Sequence, residues 1–144
     1  MQIDDKYAKL HTTTEAGRKI LFLELKNFIP ESKFRVIWNQ LEETLAAETY
    51  QALVVDCVHF KVTAPTAQTW FVEEWIVPLR QKFSCDMAVA VVNASSFFGR
   101  AVVKNLIEKL RTRGLITNIE LFDNAVEVGL WLEQTLHSSS IQTN

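Results

Sequence analysis

Apolar residues in this chain alternate between a period of two and a period of three to four, and the switches divide it into elements. Tyr7–Thr12 and Ile20–Leu25 read as strands. In the second, Leu21, Leu23 and Leu25 point one way, and Ile20, Phe22 and Glu24 the other. Thr13–Lys19 between them contains Glu15-Ala16-Gly17, a turn in which Gly17 supplies a positive φ. So short a connection predicts an antiparallel hairpin. Pro30-Glu31-Ser32 then opens a helix to about Thr49, with Phe34, Ile37, Trp38, Leu41 and Leu45 on one face. That spacing makes Trp38 a core residue.

Ala52–Val58 is an apolar run with a single carboxylate, Asp56, near its end, as expected of a buried strand. A helix follows from about Ala64 to Lys82. Thr63 is its expected N-cap, Pro65 sits in its first turn, and Pro78 removes a bond to Glu74 and kinks it. Met87–Val92 is another buried strand. Asn93 or Ser95 is expected to cap the next helix, which runs to about Arg113 with Phe98, Val102, Leu106 and Leu110 four apart and Gly114 as its C-terminal stop. Ile119–Phe122 forms a last short strand. Asp123 or Asn124 caps a final helix to about Leu136, and the polar, Ser-rich tail His137–Asn144 is expected to fray.

The order ββαβαβαβα predicts one α/β domain over residues 1–137, followed by a frayed tail, 138–144. Its sheet is five-stranded and mixed, an N-terminal antiparallel hairpin joined to parallel strands by right-handed crossovers. The two apolar central strands need both faces protected, either by helices on both sides or by helices on one and a partner subunit on the other.

A length of 144 residues supports a core without disulfides or metals. The net charge of −2 and the scattered Lys and Arg exclude a phosphate-backbone binder. The densest basic group, Lys109, Arg111 and Arg113, lies at a helix end, where cations complement the macrodipole. No apolar run approaches the ~20 residues of a membrane span, so no integral membrane association is expected. The polar start, Met1 to Lys6, lacks the features of a secretion signal, and a cytoplasmic location is expected. Cys57 and Cys85 fall at opposite ends of neighbouring strands, which suits buried thiols in a reducing compartment.

Asp56, the helix entry Thr63-Ala64-Pro65, Gln68, Trp70 and Glu74-Trp75 together resemble the STAS and CRAL-TRIO-related group of small α/β domains, often called SpoIIAA-like. The resemblance covers nearly the whole chain. One uncharacterised bacterial branch is similar in carrying Ser-Pro-x-x-Gln-x-Trp after a strand that ends in Asp; Ala64 stands here in place of that Ser. The resemblance implies a SpoIIAA-like fold and a regulatory role. In the anti-sigma-factor antagonists of the group, a phosphorylated Ser opens the corresponding helix within an Asp-Ser-Ser-Gly-like segment. This chain has Val62-Thr63-Ala64-Pro65 there, which leaves Thr63 as the nearby phosphate acceptor, although capping suits it better.

Ligands of open α/β sheets favour the loops beyond the C-terminal strand ends. That edge is expected to gather Phe28, Asp56, His59, Phe60, Thr63, Asn93, Ser95, Phe97 and Phe98. Asp56 and His59 are a conceivable acid–base pair, but no nucleophile with a base and an oxyanion loop accompanies them. Asp56 is expected instead to bind donors in a His59–Thr63 loop. Cys57 points away from Asp56, and no second His or Cys stands at ligand spacing, so neither a metal nor a cofactor is expected. Asn93-Ala94-Ser95-Ser96 suits capping better than anion binding. The four phenylalanines either lid the core or line a lipophilic pocket or contact surface.

These readings converge on a non-enzymatic regulatory or protein-interaction module that forms a homodimer. The alternatives are a carrier of a small lipophilic ligand and an enzyme using Asp56 and His59. Trp70, Phe71 and Trp75, or an open sheet face, are the expected dimer contacts, burying at least about 1,000 Å².

Overall fold

The computed structural model describes residues 3–15, 17–77, 87–116 and 118–142. Strands β1 (Ala8–Glu15) and β2 (Arg18–Ile29) form the expected antiparallel hairpin, with Gly17 in the turn at φ 75°. Helix α1 (Glu31–Ala47) leads to β3 (Ala52–Thr63). Helix α2 (Pro65–Trp70) continues into a π-helical turn, Phe71–Trp75. Then come β4 (Ala88–Val92), α3 (Phe97–Thr112), β5 (Ile119–Phe122) and α4 (Ala125–Gln142). The five strands lie in chain order, β1-β2-β3-β4-β5, and all pairs after the hairpin are parallel. The kink expected at Pro78, the helix end near Lys82, and Cys85 lie outside the described residues.

Alternation along the strands sorts the core into two layers. Leu21, Leu23, Leu25, Leu53, Val55, Cys57, Val89 and Val91 face α1, α2 with its π-helical turn, and α3. Ile20, Ala52, Val54, Ala90 and Val92 face the opposite way and pack under Val128 and Leu132 of α4. Helices therefore lie on both faces of the sheet. Of the two arrangements open to the sequence, this chain adopts the one that covers its central strands itself. The open sheet face offered as a dimer surface is buried beneath α4 at these residues.

Several boundaries differ from the expected ones, for local reasons. Strands β2 and β3 run on to Ile29 and Thr63, so His59–Thr63 is strand rather than loop. Their register slips twice: Glu24↔Asp56 is followed by Lys26↔His59, and Asn27↔Phe60 by Phe28↔Val62. Each slip inserts an extra β3 residue, a bulge that breaks the two-residue period on which the prediction relied. Helix α4 extends to Gln142, past the expected end at Leu136. Its cap is Asn124, whose Oδ1 accepts from Glu127 N at 3.0 Å. Gly114, at φ 65°, ends α3 as expected.

Helix α3 is rotated by one residue from the expected stripe. It buries Gly99, Val103, Ile107 and Leu110, while Phe98 is exposed and Val102 and Leu106 are half-buried. Gly99 explains the shift, because a hydropathy reading skips a glycine as an anchor. A Cβ there would stand 2.6 Å from the Phe60 carbonyl oxygen, 2.6 Å from Ser96 Oγ and 2.8 Å from Ala94 Cβ. The carbonyl belongs to a strand and cannot yield. Gly99→Ala is therefore expected to lower stability by about 1–3 kcal/mol, the usual cost of overpacking; urea denaturation measures it.

Candidate functional site

Strand β4 ends at Val92, opposite Asp56, whereas β3 continues for seven residues, Cys57 to Thr63. Past that point β3 has no strand partner on its β4 side. The turn between β4 and α3 fills the gap. Ser95 donates to the Val58 carbonyl from both its backbone N (3.1 Å) and its Oγ (2.8 Å), and Ser96 Oγ donates to the Phe60 carbonyl at 3.4 Å. Ser96 also caps α3 by accepting from Gly99 N at 3.2 Å. The expected caps do other work: Ser95 binds β3, and Asn93 Oδ1 accepts from Ala94 N at 2.9 Å. The missed cap was legible as the Ser immediately before the first helical residue, Phe97.

On the opposite side of β3, Asn27 adopts φ 67°, a left-handed conformation that asparagine tolerates better than most residues. Its Nδ2 donates to the Lys6 carbonyl at 2.6 Å. Thr63 is buried, and its hydroxyl donates to the Ile29 carbonyl at 2.9 Å. This corrects two expectations. The N-cap of α2 is Ala64, without a side-chain bond, and the Thr63 hydroxyl is committed inside the sheet rather than presented as a phosphate acceptor. Gln68 secures the same entry by donating from Nε2 to the Thr63 carbonyl at 3.1 Å.

The edge is also tied to the N-terminus. Burial alone would disfavour the charged form of Asp5, but hydrogen bonds from Lys33, Tyr7 N and Ala8 N, with the Lys33 charge, hold its carboxyl below the usual range. This clamp joins the start of the chain to α1.

Three aromatic rings project from this braced backbone: Phe28 is 63% exposed, Phe97 81% and Phe98 72%. Phe97 and Phe98 meet edge to face at 5.4 Å, and Lys61 Nζ lies 5.5 Å from the centre of the Phe28 ring. Phe60, grouped with them by sequence, points inward and is buried. His59 is exposed, and no hydrogen bond joins it to Asp56.

Asp56 Oδ1 instead accepts from Val58 N at 3.0 Å, within the first bulge. This corrects the expected partner: the carboxylate pairs with a bulge amide, not with donors in a His59–Thr63 loop. Asp56→Ala is expected to cost about 1–2 kcal/mol by leaving that N–H without its partner. Asp56→Asn, which keeps an acceptor, should recover most of the loss in thermal denaturation.

Phe71 and Trp75, expected at a dimer surface, do not lie on one. Phe71 and Trp75 are buried, stacked on each other at 5.2 Å, and Trp38 packs against both at 4.7 and 5.0 Å. Trp70 is half-buried, with Arg35 5.1 Å from its ring centre. Phe71 and Trp75 are thus core residues, which corrects the interface expected of them. With Phe60, Cys57, Val91 and Ile107 they help wall an apolar cavity of about 70 Å³ between the sheet and the helices. Burial, together with the adjacent Asp56 carboxylate, pushes the Cys57 thiol well up, so it stays protonated. Among the described residues, no three His, Cys, Asp or Glu side chains gather as a metal site.

Neither a family model nor a curated protein matches the sequence. The architecture is similar to a solved structure, an uncharacterised protein of the DUF3478 family with a SpoIIAA-like fold from Shewanella loihica PV-4. The TM-score is 0.62 at 11% identity, covering 92% of this chain and 98% of that one. The fold is SpoIIAA-like. The mixed sheet with its N-terminal hairpin agrees with the expectation drawn from the sequence, and at this identity the likeness speaks for the fold alone.

Proposed function

We propose that this SpoIIAA-like chain is a non-enzymatic regulatory module, cytoplasmic and homodimeric, that docks a partner protein at the C-terminal edge of its sheet. The observation that carries this reading is the exposure of Phe28, Phe97 and Phe98 on backbone fixed by Ser95, Ser96 and Asn27. Exposed aromatic rings on rigid backbone are suited to recognition, since little side-chain or loop entropy is lost when they are covered. The neighbouring Lys61 favours a partner with an acidic rim.

A photo-crosslinking residue at position 97, in cells that make the protein naturally, should give a discrete heterologous protein adduct. The F97S/F98S double variant should lose that partner while its stability stays within about 0.5 kcal/mol of wild type, as for other surface changes. Adducts only to lipid, or none at all, would sink the reading.

A second reading, carriage of a small lipophilic ligand, is favoured by the apolar cavity. Size ranks it second. The cavity's 70 Å³ is under half of the ~150 Å³ that accommodates benzene in an engineered core. A ligand larger than a few carbon atoms would have to spread Trp38, Phe71 and Trp75. Native mass spectrometry of freshly purified protein decides: a carrier retains an apolar adduct, and the bare polypeptide mass would reject this reading.

A further inference from the structure

Strand β1 lies at one edge of the sheet, and only its first half is covered. There Leu10 N donates to the Ile3 carbonyl at 2.8 Å, and Asp4 bridges Lys9 in the antiparallel sense. Leu10 thus turns its backbone groups outward, and by alternation so do Thr12 and Thr14. Among the described residues, no backbone group pairs with those two on that side. Natural edge strands are commonly blunted by Pro, Lys or a bulge. Thr12-Thr13-Thr14 carries none of these, and its β-branched residues favour the extended form.

Beside this bare stretch, between β1 and the C-terminal half of α1, opens a cleft of about 450 Å³. Thr12, Gln40, Glu43, Thr44, Glu48 and Tyr50 line it. Tyr50 is buried; its hydroxyl donates to Glu48 Oε2 at 3.2 Å and lies 3.4 Å from Thr12 Oγ1. Lys19 at the rim is ion-paired with Glu48 at 2.7 Å, and hydrogen bonds from Lys19 and Tyr50 hold the Glu48 carboxyl below the usual range. Glu15 and Arg18 stand opposite each other at the end of the hairpin and offset in charge. Glu43 is different. It accepts from Gln40 Nε2 at 2.9 Å, and among the described residues no cation pairs with it.

We propose that this is a second binding site, where an extended segment of a partner protein adds to β1 as a further strand and places a Lys or Arg in the cleft against Glu43. Bonds to the main chain of Thr12 and Thr14 give the affinity, and the cleft selects the side chain. The chain's own Ile3 and Asp4 show that this edge takes an antiparallel neighbour. The site stands independently of the docking proposed for Phe28, Phe97 and Phe98. A second copy is a poorer occupant. Pairing β1 with itself about a two-fold axis keeps both α1 helices on one face and turns Glu43 of each copy toward its equivalent, so like charges meet.

Selection of a phage-displayed library of random dodecapeptides on the full chain tests this. Enriched peptides should carry a Lys or Arg with β-branched residues at alternate positions. Fluorescence anisotropy of one such synthetic peptide then locates its site. Thr14→Pro removes an outward N–H and leaves the ladder to β2 intact, so binding should weaken at least about tenfold. Glu43→Lys should weaken it at least about threefold, and exchanging the peptide's basic residue for Glu should restore binding to that variant. A merely structural effect does not produce such a charge swap. Glu43 is exposed on a helix, so the swap decides even where the proline variant fails to fold. F97S/F98S should bind the peptide like wild type. The proposal is overturned by no enrichment, by enriched peptides without a basic residue, or by binding that F97S/F98S abolishes while Thr14→Pro and Glu43→Lys leave it unchanged. A wild-type dimer that Thr14→Pro turns into a monomer in sedimentation equilibrium would also overturn it, by giving the edge to a second copy.

Discussion

Strand β3 outruns its neighbour β4, and much of the edge follows from how its leftover carbonyl groups are satisfied. A strand inside a protein cannot leave backbone acceptors facing an apolar interior, because each unpaired polar group costs as much as a lost hydrogen bond. Val58 and Phe60 face that problem once β4 has ended at Val92. The turn after β4 answers it with Ser95 and Ser96, which brings the start of α3 so close to β3 that only glycine fits at position 99. With those contacts made, Phe97 and Phe98 have nowhere to go but outward. Their exposure is a by-product of backbone satisfaction as much as a feature of the surface.

The parts of this architecture that were legible in the sequence are those in which one period runs unbroken. Ile119–Phe122 and the buried face of α1 match their predicted residues, and the antiparallel hairpin and the mixed sheet are present as expected, although the hairpin strands extend through most of the expected Thr13–Lys19 turn, to Glu15 and from Arg18. The misread parts are those in which a residue is added or a side chain is missing. Bulges in β3 hide the second half of that strand, and Gly99 hides the true face of α3. Around the site, position along the chain was legible and orientation was not. Asp56, Asn93 and Ser95 do stand at the sheet's C-terminal edge, but bulge geometry decides that Asp56 turns to Val58 N and Thr63 to Ile29. Phe71 and Trp75 illustrate the same point. Four residues apart, the two rings share one side of the helix by spacing alone, and it is packing against Trp38 that makes that side the core side.

The two core layers differ in kind. The larger one joins three helical elements to the sheet and contains the cavity, so its packing is imperfect where the large rings of Trp38, Phe71 and Trp75 meet. The smaller one sets Ile20, Ala52, Val54, Ala90 and Val92 beneath Val128 and Leu132 of one helix, with Phe22, Phe122 and Trp131 packed against it.

Chain-order strand pairing also has a consequence for synthesis. Each strand pairs with the one made just before it, so the sheet can grow as the polypeptide leaves the ribosome, and every new crossover closes a short loop at little entropic cost. The second face has no such continuity. Ile20 and Val54 belong to early strands, but the helix that covers them follows all five strands in the chain. Until that helix emerges, the apolar face is open to water, to chaperones and to other nascent chains. The period of greatest exposure to aggregation therefore ends only when α4 has emerged and docked.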